Sequence, residues 1–396
     1  MMGGIANRHC SRLSATVALL VSVVVLVSPA GAAAQGAAAG HVYVLNNDLA
    51  GANSITVFAR AADGGLSDPR VVPIGGRGSL AAFSDGTQGS VIITPDGQRL
   101  FAVDAGSDQI SVIDVRGGQF AVVGVFGSAG AGPVSLTYGA GLLYVLNAAN
   151  ASDSSANVAG FSVDSSGALH SIPGAIRPLS SAHPNPAQVL LDPQRRTLLV
   201  TEKGTNLIDV YQVGGDGSLT GPTTVHSSGN FPFGMSFVQS AGQSELIVAD
   251  AVAAPNGTGG VTAYSLVDRL LNLQGPVFDG QIAPCWMVTT ADGRFAYTSN
   301  ADSRSISGYR IGSDGGLSLL NADGVTGLTP SDTFPLEVAQ SRDSRFLYVL
   351  DSRLLLKTPG PATLGGYRIE SNGALTSVVD EAKITLPFSA IGQAAD

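Results

Sequence analysis

Hydrophobic and polar positions recur along the chain as short apolar runs separated by polar turns. Residues 183–213, HPNPAQVLLDPQRRTLLVTEKGTNLIDVYQV, are the clearest copy of the unit. A Pro-marked entry leads into a run ending at Leu191, a turn at 192–196 and a second run at 198–200. A Gly-containing turn at 202–206 and a third run at 208–213 complete it. Runs this short, rich in β-branched residues and bounded by Gly, Asp and Asn, predict an antiparallel meander of strands rather than helices.

Aligning the second run places Tyr43, Phe101, Tyr144, Leu199, Ile247, Tyr297 and Tyr348 in register, 43 to 58 residues apart. The third run recurs at 55–58, 110–113, 208–211, 261–264, 306–309 and 364–367, with a weaker copy at 158–161. Turns such as 63–65, 216–217, 314–316 and 372–373 then lead into a fourth, more variable run. Seven units of four strands, with a period of roughly 50 residues, predict an all-β, seven-bladed β-propeller. A linear solenoid would need polar end caps, and the sequence has none.

The ends of the repeat predict how the ring closes. The first unit opens at its second strand, 41–45, with no innermost strand before it. Residues 387–395, PFSAIGQAA, resemble the innermost-strand segments 335–339 and 233–237 of other units. The C-terminal strand is therefore expected to complete the first blade.

Composition changes this picture little. Charged residues are 13% against 44% hydrophobic, and 51 glycines are spread along 396 residues, as many buried strands and tight turns require. The formal charge of −9, with no basic run, argues against nucleic acid or an anionic membrane as partner. The N-terminus is a separate matter. Arg8 and Arg12 precede an apolar run at 15–27, followed by Pro29 and small residues, so 1–34 read as a secretory signal peptide with 35–40 as a linker and 41–396 as the propeller. The run is shorter than the ~20 residues a membrane-spanning helix needs; a retained anchor is the alternative. Cleavage takes the formal charge from −9 to −11 and leaves a secreted or periplasmic protein, expected to be monomeric and free of the membrane. It also removes Cys10, so the remaining Cys285 can form no intramolecular disulfide. The sequons at 150–152 and 256–258 matter only if the source glycosylates exported proteins.

Alternating strand direction puts the entry to each innermost strand and each second-to-third-strand loop on one face. There the sequence collects the candidate catalytic residues His183, Glu202 and Lys203, and the candidate ligand contacts Asn185, Asn206, Trp286, Asp302, Arg304, Glu337 and Arg353. Asn46, Asn47, Asp104, Asn147, Asp250, Asn300 and Asp351 join them. Such a rim suits a small polar or anionic ligand; the same residue types also populate loops merely to make turns. Glu202 beside Lys203 is either an acid/base pair or a solvated ion pair. The aromatic entries at 231–233, 285–286 and 334–335 either plug the channel or pack blade on blade, with Trp286 available to stack on a ligand. Phosphate-cradling glycine loops, HExxH, CxxC and GxSxG are absent. No cofactor is expected, and the sequence shows no compact metal-ligand cluster; a metal site assembled across blades is left open.

The units LLVTEKGTNLIDVYQV, ITPDGQRLFAVDAGSDQISVIDV and QSRDSRFLYVL, with the tail IGQAA, resemble the seven-bladed lactonase family, which includes 6-phosphogluconolactonase-like and carboxymuconate-cyclase-like proteins. The resemblance covers roughly residues 41–395. It implies a His-Pro-His entry to one innermost strand and an Asp-x-Gly-Thr-Asp loop after the next strand. Here Pro186, Gly204 and Thr205 match, Asn185 and Ala187 stand at the histidine positions, and Glu202 and Asn206 replace the two acids. Hydrolysis of a sugar-derived or organic-acid lactone is the implied activity, with Glu202 orienting water and Lys203 or Arg304 facing the oxyanion. A non-catalytic propeller binding a ligand or an exported protein through the same face is the alternative.

Overall fold

The computed structural model describes residues 38–396 apart from 68, 150–154, 182–183, 241–242, 253–255 and 355–359. The expected signal peptide, the first half of the linker, His183 and the sequon at 150–152 thus lie outside the described residues.

Strands pair into seven antiparallel sheets, one per sequence unit. We letter the strands of each blade A to D from the channel outward. Blade 4, the opening stretch of the sequence, consists of A (Pro186–Leu191), B (Thr197–Glu202), C (Leu207–Val213) and D (Leu219–His226). In blades 3 and 6 the outer strand is split into two short pieces that both pair with strand C. All six residues of strand B in blade 4 are buried, while its strand D is largely exposed. That gradient follows from geometry: inner strands are covered on both faces by neighbouring blades, so they read as unbroken apolar runs.

The A strands are Ile391–Ala395, Val91–Ile93, Pro133–Gly139, Pro186–Leu191, Pro232–Ser240, Pro284–Thr289 and Phe334–Gln340 for blades 1 to 7. Each contacts the next in that order, and the last contacts the first, so the ring is closed. Blade 1 joins both ends of the propeller: Ile391–Ala395 pairs antiparallel with Gly40–Leu45, in the register Val42↔Ala395, Tyr43↔Ala394 and Val44↔Gln393. The expected closure by the C-terminal strand is what the structure has. No α-helix occurs among the described residues, only short 3-10 turns such as Ala81–Phe83.

Candidate functional site

The polar rim resolves first into a structural ring. Counting three residues on from the aligned second-run positions gives Asn46, Asp104, Asn147, Glu202, Asp250, Asn300 and Asp351, one per blade, each at most 1% exposed. These side chains bond within their own blade or to the chain entering it, and Asp104 also accepts from Asn53 Nδ2 of blade 1 (2.9 Å). The Asn46 amide meets Ser54 Oγ and Thr56 Oγ1, Asp104 accepts from Ser111 Oγ (2.7 Å), and Asn300 Nδ2 donates to Ser305 and Ser307 (3.0 and 2.8 Å). Asp250 accepts from Thr262 Oγ1 and Ser227 Oγ. Glu202 is the blade 4 member. Its carboxylate accepts from Ser180 N (3.0 Å), Ser180 Oγ and Thr205 Oγ1, beside Asp209, which also accepts from Ser180 N. Burial, with the Glu202 charge beside it, pushes the Asp209 carboxyl up to about 8. Glu202 is turned into its blade and reaches no solvent.

Inside this ring the channel is crossed by the chain itself. Between strand D of blade 1 and strand A of blade 2, residues 85–90 enter the channel and bond to the blades around it. Gln88 N donates to Ala187 O (3.0 Å), Gln88 Nε2 to Met287 O (2.7 Å), and Met287 N returns to Gln88 Oε1 (3.0 Å). Leu136 N donates to Gly89 O (2.9 Å), and Gly89 N reaches Glu337 Oε1 (3.2 Å). Gly86 has φ +69°, and a Cβ there would lie 2.9 Å from the Trp286 ring, so only glycine fits between Trp286 and Phe233.

Four of the candidate residues serve this crossing segment. Lys203 Nζ donates to Asp85 O (3.0 Å) and Gly86 O (2.6 Å) and lies 4.8 Å from the centre of the Phe233 ring. It is 4% exposed, and burial lowers its ammonium to about 8. Asn185 Nδ2 donates to Asp85 Oδ2 (3.2 Å), and Trp286 Nε1 to Thr87 O (2.7 Å). Glu337, 3% exposed, is pushed well above the usual carboxylate range by burial.

The segment leaves a cavity on each side. Toward the A–B turns, one of about 320 Å³ is walled by Gln88, Thr137, Tyr138, Gln188, Glu337 and Gln393 together with aliphatic side chains. On the opposite face, where the A entries and B–C loops lie, a bowl of about 360 Å³ opens over blades 5 to 7. Its walls are Phe231, Phe233, Trp286, Phe334, Val252 and Ile282, with Asp85 and Asp302 as its carboxylates and Cys285 set into the wall. Phe231 and Ala283 enter it with φ of 59° and 57°, each just before a proline. A bulky residue held in the left-handed region costs about 1–2 kcal/mol and marks a place where the surroundings dictate the backbone. Asn206 does part of that work: its Oδ1 accepts from Phe231 N (3.1 Å). Asp302 is exposed, and among the described residues none bonds its carboxylate. Burial pushes the Cys285 thiol up to about 12, which leaves it protonated and inert at neutral pH.

The family model described as "Lactonase, 7-bladed beta-propeller" matches residues 43–254, more than half of the chain. The chain belongs to this lactonase family.

Solved structures share the lactonase-propeller fold at low identity. A periplasmic gluconolactonase of Pseudomonas aeruginosa matches with TM-score 0.65 and 17% identity, covering 90% of this chain and 99% of that one. A candidate 6-phosphogluconolactonase of Bacteroides fragilis matches with TM-score 0.63 and 15% identity (90% and 98%). A hypothetical selenium-binding protein of Sulfolobus tokodaii reaches 0.62 at 11% (89% and 92%). Proteins with such different names share one backbone, so these likenesses carry the fold alone. No curated protein sequence matches the chain.

Of the sequence candidates, this lactonase-family propeller brings Trp286 and Asp302 to the bowl, with Lys203 behind its Phe233 wall and Asn206 holding Phe231. Arg304 lies over the Phe334 ring (5.3 Å) and donates to Asp302 O (3.1 Å). Arg353 is ion-paired with Asp332 away from the bowl lining. At the family's histidine positions, Asn185 bonds Asp85, and Ala187 is fully buried with its carbonyl accepting from Gln88 N. The crossing segment and Asp85 escaped the sequence reading. One signal was available: the step from Tyr43 to Phe101, at 58 residues, is the longest of the repeat, and the surplus is this segment.

Proposed function

We propose that this lactonase-family propeller is an exported hydrolase that opens a small lactone in the bowl over blades 5 to 7, with Asp302 as general base. The observation that carries this reading is the concave, aromatic-walled cavity with a solvent-facing carboxylate, Asp302, that no described residue bonds. Water attacks the lactone carbonyl carbon as its proton passes to Asp302. The ring C–O bond then breaks, and the proton returns to the departing alkoxide, giving a hydroxy acid. Asp85 is less suited to the task, since Asn185 already occupies one of its oxygens. Glu202 and Lys203 support the scaffold in this scheme rather than the chemistry.

Their internal commitments also favour a second reading, in which the bowl binds a ligand without turnover. Asp302→Asn separates the two. A general base contributes about 10²- to 10⁴-fold, so the variant should lose lactone hydrolysis by at least two orders of magnitude while still binding. An Asp302→Asn protein that hydrolyses lactones at the parent rate removes the assigned base, and a parent protein without turnover on a broad lactone panel leaves the binding reading.

A further inference from the structure

We infer that the bowl selects uncharged lactones carrying an apolar substituent and rejects free-sugar lactones and phosphorylated sugar acids. This rests on the reading of the bowl as the lactone site and adds what that lactone must be. At about 360 Å³ the cavity lies near the lower end of the 300–1,000 Å³ typical of small-molecule sites, so it holds one small ring with a short tail.

The walls decide the rest. Apart from Asp85, Asp302, the buried Cys285 and Gly257, every lining residue is aromatic or aliphatic. Val252 and Ile282 are 43% and 48% exposed, so a ligand that covers them gains apolar burial. A phosphate needs cations or backbone N–H groups with free hydrogen-bonding capacity. Among the described residues no cation lines the cavity: Lys203 donates to two carbonyls of the crossing segment from behind Phe233, and Arg304 lies over the Phe334 ring with one N–H on Asp302 O. The two carboxylates that do face the cavity would repel an anion. A polyhydroxylated sugar ring fares little better. Its hydroxyls would exchange water for aromatic carbon, and each one left unpaired weakens binding roughly tenfold or more. An uncharged lactone instead needs only its ester group wet, at the Asp302 rim.

Trp286 is the only tryptophan in the chain and it lines the bowl, so its fluorescence reports occupancy without a label. The mature protein is titrated with γ-nonalactone, glucono-δ-lactone and 6-phosphogluconate, and hydrolysis of both lactones is followed in parallel. Saturable quenching or a spectral shift is expected with γ-nonalactone, at a Kd at least tenfold below that for glucono-δ-lactone, with no response to 6-phosphogluconate. Val252→Arg, at an exposed rim position, should weaken γ-nonalactone at least tenfold while leaving circular dichroism and Tm unchanged. Tighter binding of glucono-δ-lactone or 6-phosphogluconate than of γ-nonalactone overturns the inference, as does parent-like γ-nonalactone affinity in Val252→Arg. Binding of γ-nonalactone without its hydrolysis leaves the selectivity standing and removes only the catalytic reading. Hydrolysis of glucono-δ-lactone without γ-nonalactone binding keeps the hydrolase and removes the selectivity.

Discussion

Asp250 illustrates what a single residue of the structural ring does. Its carboxyl is fully buried between Ser227 Oγ and Thr262 Oγ1, and burial pushes it up to about 7. The folded-state value is raised above the unfolded one, so the folded chain holds an extra proton between about pH 4 and 7. The stability tied to this group is then fully present below about pH 4 and is lost as the pH rises through 7. Asp250→Asn should flatten that part of the Tm-versus-pH curve, because an amide bonds both hydroxyls without a charge, as Asn46 and Asn300 do in their blades. Asp250→Ala strands both hydroxyls and should cost about 1–3 kcal/mol in urea unfolding. An Asn variant with an unchanged pH slope would show that Asp250 is not the titrating group. The sequence displays these seven residues as a polar set on one face; their inward turn depends on hydroxyls, amides and carbonyls of neighbouring chain that only the folded blades bring within reach. The same holds for Lys203, whose partners are backbone carbonyls more than a hundred residues away.

At the scale of the element, a tyrosine–glycine device locks one blade to the next. Tyr144, Tyr297 and Tyr348, all on strand B, face Gly160, Gly308 and Gly366 on strand C. Each hydroxyl donates, at 2.8 Å, to the carbonyl of a C–D-turn glycine in the following blade: Gly217, Gly373 and Gly64. Those glycines have φ of +84°, +91° and +93°, and a Cβ on Gly64 would lie 2.3 Å from Phe346 Cδ1, so the turn can approach the strand only without a side chain. The tyrosines and the glycine turns are both visible in the repeat, but the bond between them is not, since it joins consecutive units that a linear reading treats separately. Tyr348→Phe should lower stability by about 1–2 kcal/mol, the cost of leaving the buried Gly64 carbonyl unpaired. Gly64→Ala should cost at least about 2 kcal/mol through strain and overlap. Both changes act on the seam between blades 7 and 1, so their effects in urea unfolding should be non-additive; strict additivity would mean that the hydroxyl and the turn do not act as one contact.

That seam is where the whole molecule is most exposed to failure, because blade 1 is assembled from residues about 350 positions apart. Ile391–Ala395 contributes Ile391, 4% exposed, worth about 2–3 kcal/mol, and buried alanines worth less than about 1 kcal/mol each. Apolar burial is therefore modest here, and hydrogen bonds carry more of the closure. Gln393 Nε2 donates to Glu337 O and Tyr348 O of blade 7 (2.7 and 2.6 Å), while Arg60 Nε and Nη2 donate to Asp396 O (3.1 and 2.8 Å) and the Asp396 carboxylate accepts from His41 N. Gly392 adds a constraint of its own: its φ is +61°, and a Cβ would overlap Ser90 Oγ at the end of the crossing segment, so the closing strand and the channel segment fit together or not at all. Removing residues 388–396 strips the inner strand from blade 1 and uncovers one edge of Gly40–Leu45, a row of unpaired backbone groups that invites association between chains. The shortened protein should lose its single cooperative unfolding transition and should elute as aggregates in size-exclusion chromatography. Gln393→Leu, which keeps the strand but removes the bonds to blade 7, should stay folded and monodisperse with a Tm several degrees lower. A truncated protein that melts cooperatively at the parent Tm would mean that six blades and an incomplete seventh are sufficient, and that the terminal strand closes the ring without holding it.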